Sequence, residues 1–302
     1  MIETPAGSPE GFAIINKPTG ITSHSLLAKL SRQLGVKVKV GHAGTLDSFA
    51  SGVLVCMFGR YTRLSDYFMA TRKRYTATLQ FGMETDTLDP GGTPVRHAAI
   101  PDRAAVEACL SQFSGPIQQI PPVYSAIHVE GKRAYRLAMQ GTVPEMAARP
   151  VVIHSLQLVS WDETSAVLDV ACSKGTYIRS LARDIGMASG SAAHLGALCR
   201  TASGPFLIQD ACSLEEFSIT KLRKFDVSLA RSLDMSIIKL EHNQARAFSH
   251  GKPLAQIDSF DKLLSIPDSA AVAVFSAEYE FLGVLRYLDG RWMYAFVFSE
   301  AR

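Results

Sequence analysis

The chain has 302 residues, 47% of them apolar and 20% charged, with a net charge of +3, which is enough length and apolar content for a large core and for two domains. No run of about 18 apolar residues is present to cross a membrane, and Met1 to Glu10 lacks the basic-then-apolar order of a signal peptide, so a soluble cytoplasmic protein is expected. Five cysteines, Cys56, Cys109, Cys172, Cys199 and Cys212, form no Cys-x-x-Cys pair and sit mostly among apolar or small neighbours, which favours buried thiols over disulfides or zinc.

In chain order, Gly11 to Lys17 reads as a short strand stopped by Pro18, and Thr22 or Ser23 caps a helix through about Leu34, with Leu26, Leu27, Leu30 and Leu34 at helical spacing and Gly35 as its end. Lys17, before the Pro-Thr-Gly turn, is either a solvated lysine or an ammonium in reach of a phosphate. The stretch Gly41-His42-Ala43-Gly44-Thr45-Leu46-Asp47-Ser48-Phe49-Ala50-Ser51-Gly52 places one carboxylate between glycines and runs into the apolar strand Val53 to Phe58. Glycines permit a tight loop there, so Asp47 is either a turn cap or a carboxylate held before a sheet edge. Tyr61 to Met69 reads as a short helix. Arg74 to Phe81 alternates as a strand, with Tyr75, Ala77, Leu79 and Phe81 on one face.

Three acids in Glu84 to Asp89 raise the question of a metal, but the regular ligand ladder of a calcium loop is missing, and no metal is expected. Asp102 to Phe113 has the pattern of an amphipathic helix, Pro121-Pro122 enforces extended backbone, and Lys132 to Gln140 reads as a short basic helix. Val151 to Val159 and Ala166 to Cys172 read as paired strands. They lead into a glycine turn and a helix start that presents Thr176, Tyr177 and Arg179; helix-start amides favour an anion, and Arg179 adds a planar cation suited to a carboxylate. Strand-like segments 270–275, 281–287 and 292–298 follow. Residues 235–302 carry seven Lys+Arg against eight Asp+Glu, leaving +4 on residues 1–234, where Lys37/Lys39, Arg72-Lys73-Arg74, Lys132-Arg133 with Arg136, and Lys221/Arg223/Lys224 cluster beside Tyr75, Tyr135 and Phe225. Cations interleaved with rings suit nucleic acid, phosphates meeting the first and unstacked bases the second.

Six ordered blocks then match a family: Lys17-Pro18-x-Gly20-x-Thr22-Ser23, Gly41-His42-x-Gly44-Thr45-Leu46-Asp47, Lys73-Arg74-Tyr75, Thr85-Asp86-Thr87, Pro121-x-x-Tyr124-Ser125-Ala126 and Ser173-Lys174-Gly175-Thr176-Tyr177-Ile178-Arg179. On these the chain resembles the TruB branch of the pseudouridine synthases over roughly residues 12–215, departing from it at Ala43 and Ser48, where the family usually has Thr and Pro. The resemblance implies an α+β fold, with a mixed, largely antiparallel sheet of the pseudouridine synthase type and flanking helices in residues 1–234. That part would carry an RNA-gripping insertion at about 124–150 and be followed by a small β-rich PUA-like domain in 235–302. It implies cofactor-free isomerisation of the T-loop uridine at position 55 of tRNA, with the base flipped out of its stack. Asp47 would be the catalytic aspartate, Arg179 its ion-pair partner keeping it ionised, and Tyr75 the ring stacked on the uracil. His42 would fill space near the extruded base, Tyr177 and Leu198 would line the pocket, and Lys17 would lie close to it, all four as substrate-binding residues. The implied partner is tRNA alone, bound by a monomer with no membrane or protein partner. Two other readings are a tRNA chaperone whose chemistry is dispensable and a guide-dependent relative acting on ribosomal RNA; the insertion and the lack of a lysine-rich tail argue against the second.

Overall fold

The computed structural model describes residues 9–129, 131–257 and 271–298. Its centre is a twisted sheet whose strands lie in the order Gly11–Lys17, Ser51–Phe58, Ala193–Ser203, Lys73–Phe81, Ser165–Cys172, Arg149–Asp162, Gly115–Gln119. Along this order only the pairing of Ser51–Phe58 with Ala193–Ser203 is parallel; the rest are antiparallel. The sheet is therefore mixed and largely antiparallel, as the sequence implies.

Local chemistry explains most elements. Thr22 Oγ1 accepts from Ser25 N at 3.0 Å and starts the Ser23–Gln33 helix, whose Leu26, Leu27 and Leu30 are buried, and Gly35 at φ +67° ends it. Lys73–Phe81 alternates between buried and more open residues, with Tyr75, Ala77, Leu79 and Phe81 inward. Tyr61 to Met69 divides into a 3-10 turn, Gly59–Leu64, and a one-turn helix, Ser65–Met69. Arg103–Leu110 buries Val106, Cys109 and Leu110, and a 3-10 turn carries it to Phe113.

Two segments differ from the reading of the sequence. Lys132–Arg133 is not helical but pairs with His128–Val129 in a small hairpin, and the helix spans only Ala134–Met139, because Gly131 at φ +80° turns the chain back on itself. Ala193–Ser203, with no strand signal of its own, is an interior strand between Ser51–Phe58 and Lys73–Phe81: its register shifts between Leu195 and Ala197 and again between Arg200 and Ala202, and such bulges erase the period-two pattern.

Beyond residue 234 a second sheet runs Ser236–Leu240, Ala271–Ser276, Phe281–Leu288, Arg291–Val297, with the helix His242–Ser249 packed on it; this is the PUA-like part, and Ala270 lies outside the described residues. The two sheets share apolar packing. Phe225 lies 4.4 Å from Phe281 and 6.3 Å from both Phe68 and Phe275, centroid to centroid, within one buried cluster that also holds Phe12, Phe206 and Val284. Tyr61 meets Phe298 edge-on at 5.1 Å, and the Arg60 guanidinium, ion-paired to Glu10, covers the same Phe298 ring. All five cysteines are free thiols. Because Phe225 is 2% exposed inside the shared cluster, Phe225→Ala is expected to cost about 3–5 kcal/mol and to shift a single calorimetric transition; two separated transitions in the variant would show that the sheets melt independently.

Candidate active site

The Asp47 loop joins Val40–His42 to Ser51–Phe58, and its backbone is pinned on several sides. Ser23 Oγ donates to Leu46 O and accepts from Leu46 N, both at 2.9 Å, and Gly20 N donates to Ser48 O at 2.7 Å. Arg200 Nη2 donates to Gly44 O at 2.9 Å, with its Nε on Val53 O at 2.7 Å. Gly52, at φ +104°, is required by contact: a Cβ there would sit 2.3 Å from Arg200 O. Ala43 is fully buried in the core and Ser48 is exposed, so the two family departures fall on a packing position and a surface position.

Opposite the loop stands Arg179, in the first turn of the Ile178–Ala188 helix and 6% exposed. Its Nε lies 3.0 Å from Asp47 Oδ2, and Nη2 donates to Asp47 Oδ1 at 3.4 Å and to Tyr124 O at 3.0 Å. Nη1 donates to Thr87 O at 2.8 Å and to Asp89 Oδ2 at 3.3 Å. These five contacts match the five N–H donors of a guanidinium, so its plane is fixed by the protein before any substrate arrives.

The resemblance implies an aspartate kept ionised by Arg179, and burial complicates that picture. Removal from water pushes the Asp47 carboxyl above the usual carboxylate range; Arg179 pulls it back, with Lys17 acting the same way and Asp89 against it. The net displacement is upward, while 39% of the side chain stays open to solvent. Arg179 therefore limits the rise and does not reverse it.

Tyr75 is 8% exposed and pairs in register with Arg200 on one side and Val170 on the other. Burial raises its phenol, against the pull of the Arg200 cation, so the ring is neutral. His42 is pushed below the usual imidazole range by burial first, then by Arg200 and His24; its Nδ1 is buried with no hydrogen-bond partner among the described residues. Tyr177 is the residue before the helix, not within its first turn, and burial raises its phenol too. Leu198 is 9% exposed, belongs to the same core cluster as Tyr75, and pairs with Ala77.

Lys17 lies beside the Asp47 loop. It is fully buried, and its Nζ donates to Pro18 O at 2.9 Å, Ile21 O at 2.8 Å and Ser48 O at 3.5 Å. No ammonium proton is left for a phosphate or a base. Burial, opposed by Asp47, pulls its pKa to about 8. Lys17 thus ties the Pro18–Ile21 turn to the Asp47 loop.

Two residues escape sequence reasoning. Asp89 completes the Arg179 contacts while its Oδ1 accepts from Thr87 Oγ1 at 2.8 Å and Gly91 N at 3.0 Å; the acidic loop holds a carboxylate fixed by its own turn. Arg200 is 2% exposed with no carboxylate among its described ion pairs, and it spends its donors on the carbonyls of Gly44 and Val53. The clue to Asp89 is the polar, glycine-ended loop; Arg200 leaves none, since its strand has no readable pattern.

Comparison with known proteins points to one family. The family model described as TruB family pseudouridylate synthase (N terminal domain) matches residues 31–178. A protein named tRNA pseudouridine synthase B from Hydrogenovibrio crunogenus is 36% identical over 94% of this chain and 89% of its own length. Proteins of the same name from Borreliella burgdorferi and Bordetella pertussis are 40% and 46% identical, over 80% and 68% of this chain and 85% and 86% of theirs. Among solved structures, one titled as a Cbf5-Nop10-Gar1 complex superposes with a TM-score of 0.70 over 97% of this chain and 84% of that chain at 22% identity, a likeness of fold.

The charges around Asp47 set a direction for pH dependence. Asp89→Asn removes a like charge that raises the Asp47 carboxyl and leaves Arg179 to pair with Asp47 alone. The acid limb of kcat/KM is therefore expected to move to lower pH in Asp89→Asn; a limb that stays in place or moves up would contradict this assignment.

Proposed function

The chain belongs to the TruB family of pseudouridylate synthases, and from that premise we propose that it isomerises the T-loop uridine at position 55 of tRNA to pseudouridine, with Asp47 as the reacting carboxylate. The observation that carries this reading is the two-oxygen pairing of a partly open Asp47 with a buried Arg179, 3.0 and 3.4 Å apart, within a loop pinned at Gly44, Leu46 and Ser48.

The reaction breaks the N1–C1′ bond and forms C5–C1′; the C5 proton leaves and N1 gains one, so atoms and electrons balance without a cofactor. The uridine must first be extruded from its stack. Tyr75 offers a neutral ring on which the uracil stacks, His42 fills space beside it, and Tyr177 and Leu198 close the sides. Asp47 either attacks C1′ or takes the C2′ proton; both need an ionised carboxylate more basic than a free one, which burial against the Arg179 pair supplies. A glycosidase uses a second carboxyl to protonate a departing sugar. Here the uracil stays in the pocket, so one reacting carboxylate suffices.

Grip on the RNA falls to the insertion at about 124–150. Lys132 and Arg133 at the hairpin and Arg136 on the following helix are exposed there, where phosphates can reach them. The segment from 235 onward serves as a PUA-like RNA-binding domain of near-neutral charge and secondary contribution. We place the protein in the cytoplasm as a monomer acting without a guide RNA.

Incubating the purified chain with a T stem-loop RNA and no other component, followed by nucleoside analysis, is expected to yield pseudouridine at position 55. Asp47→Asn is expected to yield none while binding the RNA within about threefold of the parent. Unchanged uridine with the parent favours an RNA chaperone, and full activity in Asp47→Asn removes Asp47 from the chemistry.

A further inference from the structure

One buried polar side chain next to the site has no part in the chemistry above. Gln119 ends the Gly115–Gln119 strand and is 2% exposed. Its carboxamide lies against the peptide of Tyr177: Oε1 accepts from Tyr177 N at 2.8 Å and Nε2 donates to Tyr177 O at 3.1 Å. A single side chain thus pairs with both backbone groups of one residue, as a neighbouring strand would. Only a side chain that carries donor and acceptor on one planar group can do this at that length; a carboxylate lacks the donor and an apolar residue lacks both.

The held residue is well chosen. Tyr177 precedes the Ile178–Ala188 helix, which has no side-chain cap of its own, and two residues later comes Arg179. The clamp therefore fixes where the Tyr177 ring enters the pocket and the angle at which the helix presents its guanidinium. The same segment is stitched to that helix further on: Ser180 Oγ donates to Ile120 O at 2.8 Å, Arg183 Nη2 to the same oxygen at 3.1 Å, and Arg179 Nη2 to Tyr124 O at 3.0 Å. Residues 119–124 are also where the chain departs through Pro121-Pro122 into the insertion. We propose that Gln119 is a positioning residue: by clamping the Tyr177 peptide it sets the pairing of Arg179 with Asp47 and joins the insertion to the reacting groups. This rests on the pseudouridine synthase reading above.

The charged groups around this point are Arg149 on the adjacent strand, Arg179, Arg183 and Asp184 on the helix, and Asp47 with Asp89 and Lys17 across the cleft. None is altered by Gln119→Met, which keeps the volume and removes both hydrogen bonds. If the clamp sets Arg179, loosening it weakens the cation's downward pull on Asp47. Gln119→Met is then expected to bind T stem-loop RNA like the parent, to lower the single-turnover rate by about 10- to 100-fold, and to move the acid limb of the rate profile to higher pH. Gln119→Asn keeps the carboxamide and adds no charge but is one methylene short of pairing with both Tyr177 backbone groups; it provides the same measurements should the methionine variant not fold, with a lowered rate again expected. A parental rate in the folded variant, a loss that follows RNA affinity alone, or an acid limb that does not move would each overturn the proposal. A parent that makes no pseudouridine would instead overturn the function it rests on.

Discussion

The site depends on one guanidinium. Arg179 meets Asp47, Asp89, and the carbonyls of Thr87 and Tyr124, which belong to the Asp47 loop, the acidic turn and the segment leading into the insertion. An arginine this buried is costly to hold unless every donor is met and its charge is answered, and here both conditions are fulfilled by groups from distant parts of the chain. The fold's task is to bring those groups to one side chain. The sheet does so by placing Lys73–Phe81 beside Ala193–Ser203, with the helix of Arg179 packed over them.

Three further buried cations are bound mainly to backbone. Lys17 spends its protons on Pro18, Ile21 and Ser48, Lys73 on Met69 and Thr71, and Arg200 on Gly44 and Val53. Carbonyl oxygens satisfy the hydrogen bonds of these side chains without cancelling their charge. Lys17 and Arg200 therefore tie the Asp47 loop to the Pro18–Ile21 turn and to the Ala193–Ser203 strand. A loop fixed in this way holds its aspartate in position at no entropic cost during the reaction.

Much of this was legible in the sequence where the signal is local. The alternation of Lys73–Phe81 put Tyr75 on the inner face, and the glycines around Asp47 marked a tight loop; the turn before Ile178 marked a helix start carrying Arg179. What was not legible depends on partners far away in sequence. Lys17 reads as a free cation because nothing local shows that Ser48 and Ile21 carbonyls will close on it. Asp89 sits in a polar loop whose acids look alike until the fold brings one of them to Arg179. The strand Ala193–Ser203 is hidden by its two bulges, and Arg200 with it. Lys132–Arg133 reads as helical from composition, whereas Gly131 turns it into a hairpin.

We propose that the planar fork of Arg179, and not its charge alone, organises the reaction. The most direct test is the single-turnover rate of Arg179→Lys on T stem-loop RNA, measured beside its RNA affinity. A lysine keeps the positive charge but cannot serve Asp47 on both oxygens together with Asp89 and the two carbonyls. The expected result is a rate lowered by about 100-fold or more with RNA affinity near that of the parent. A near-parental rate would show that any cation at this position suffices and would contradict the account.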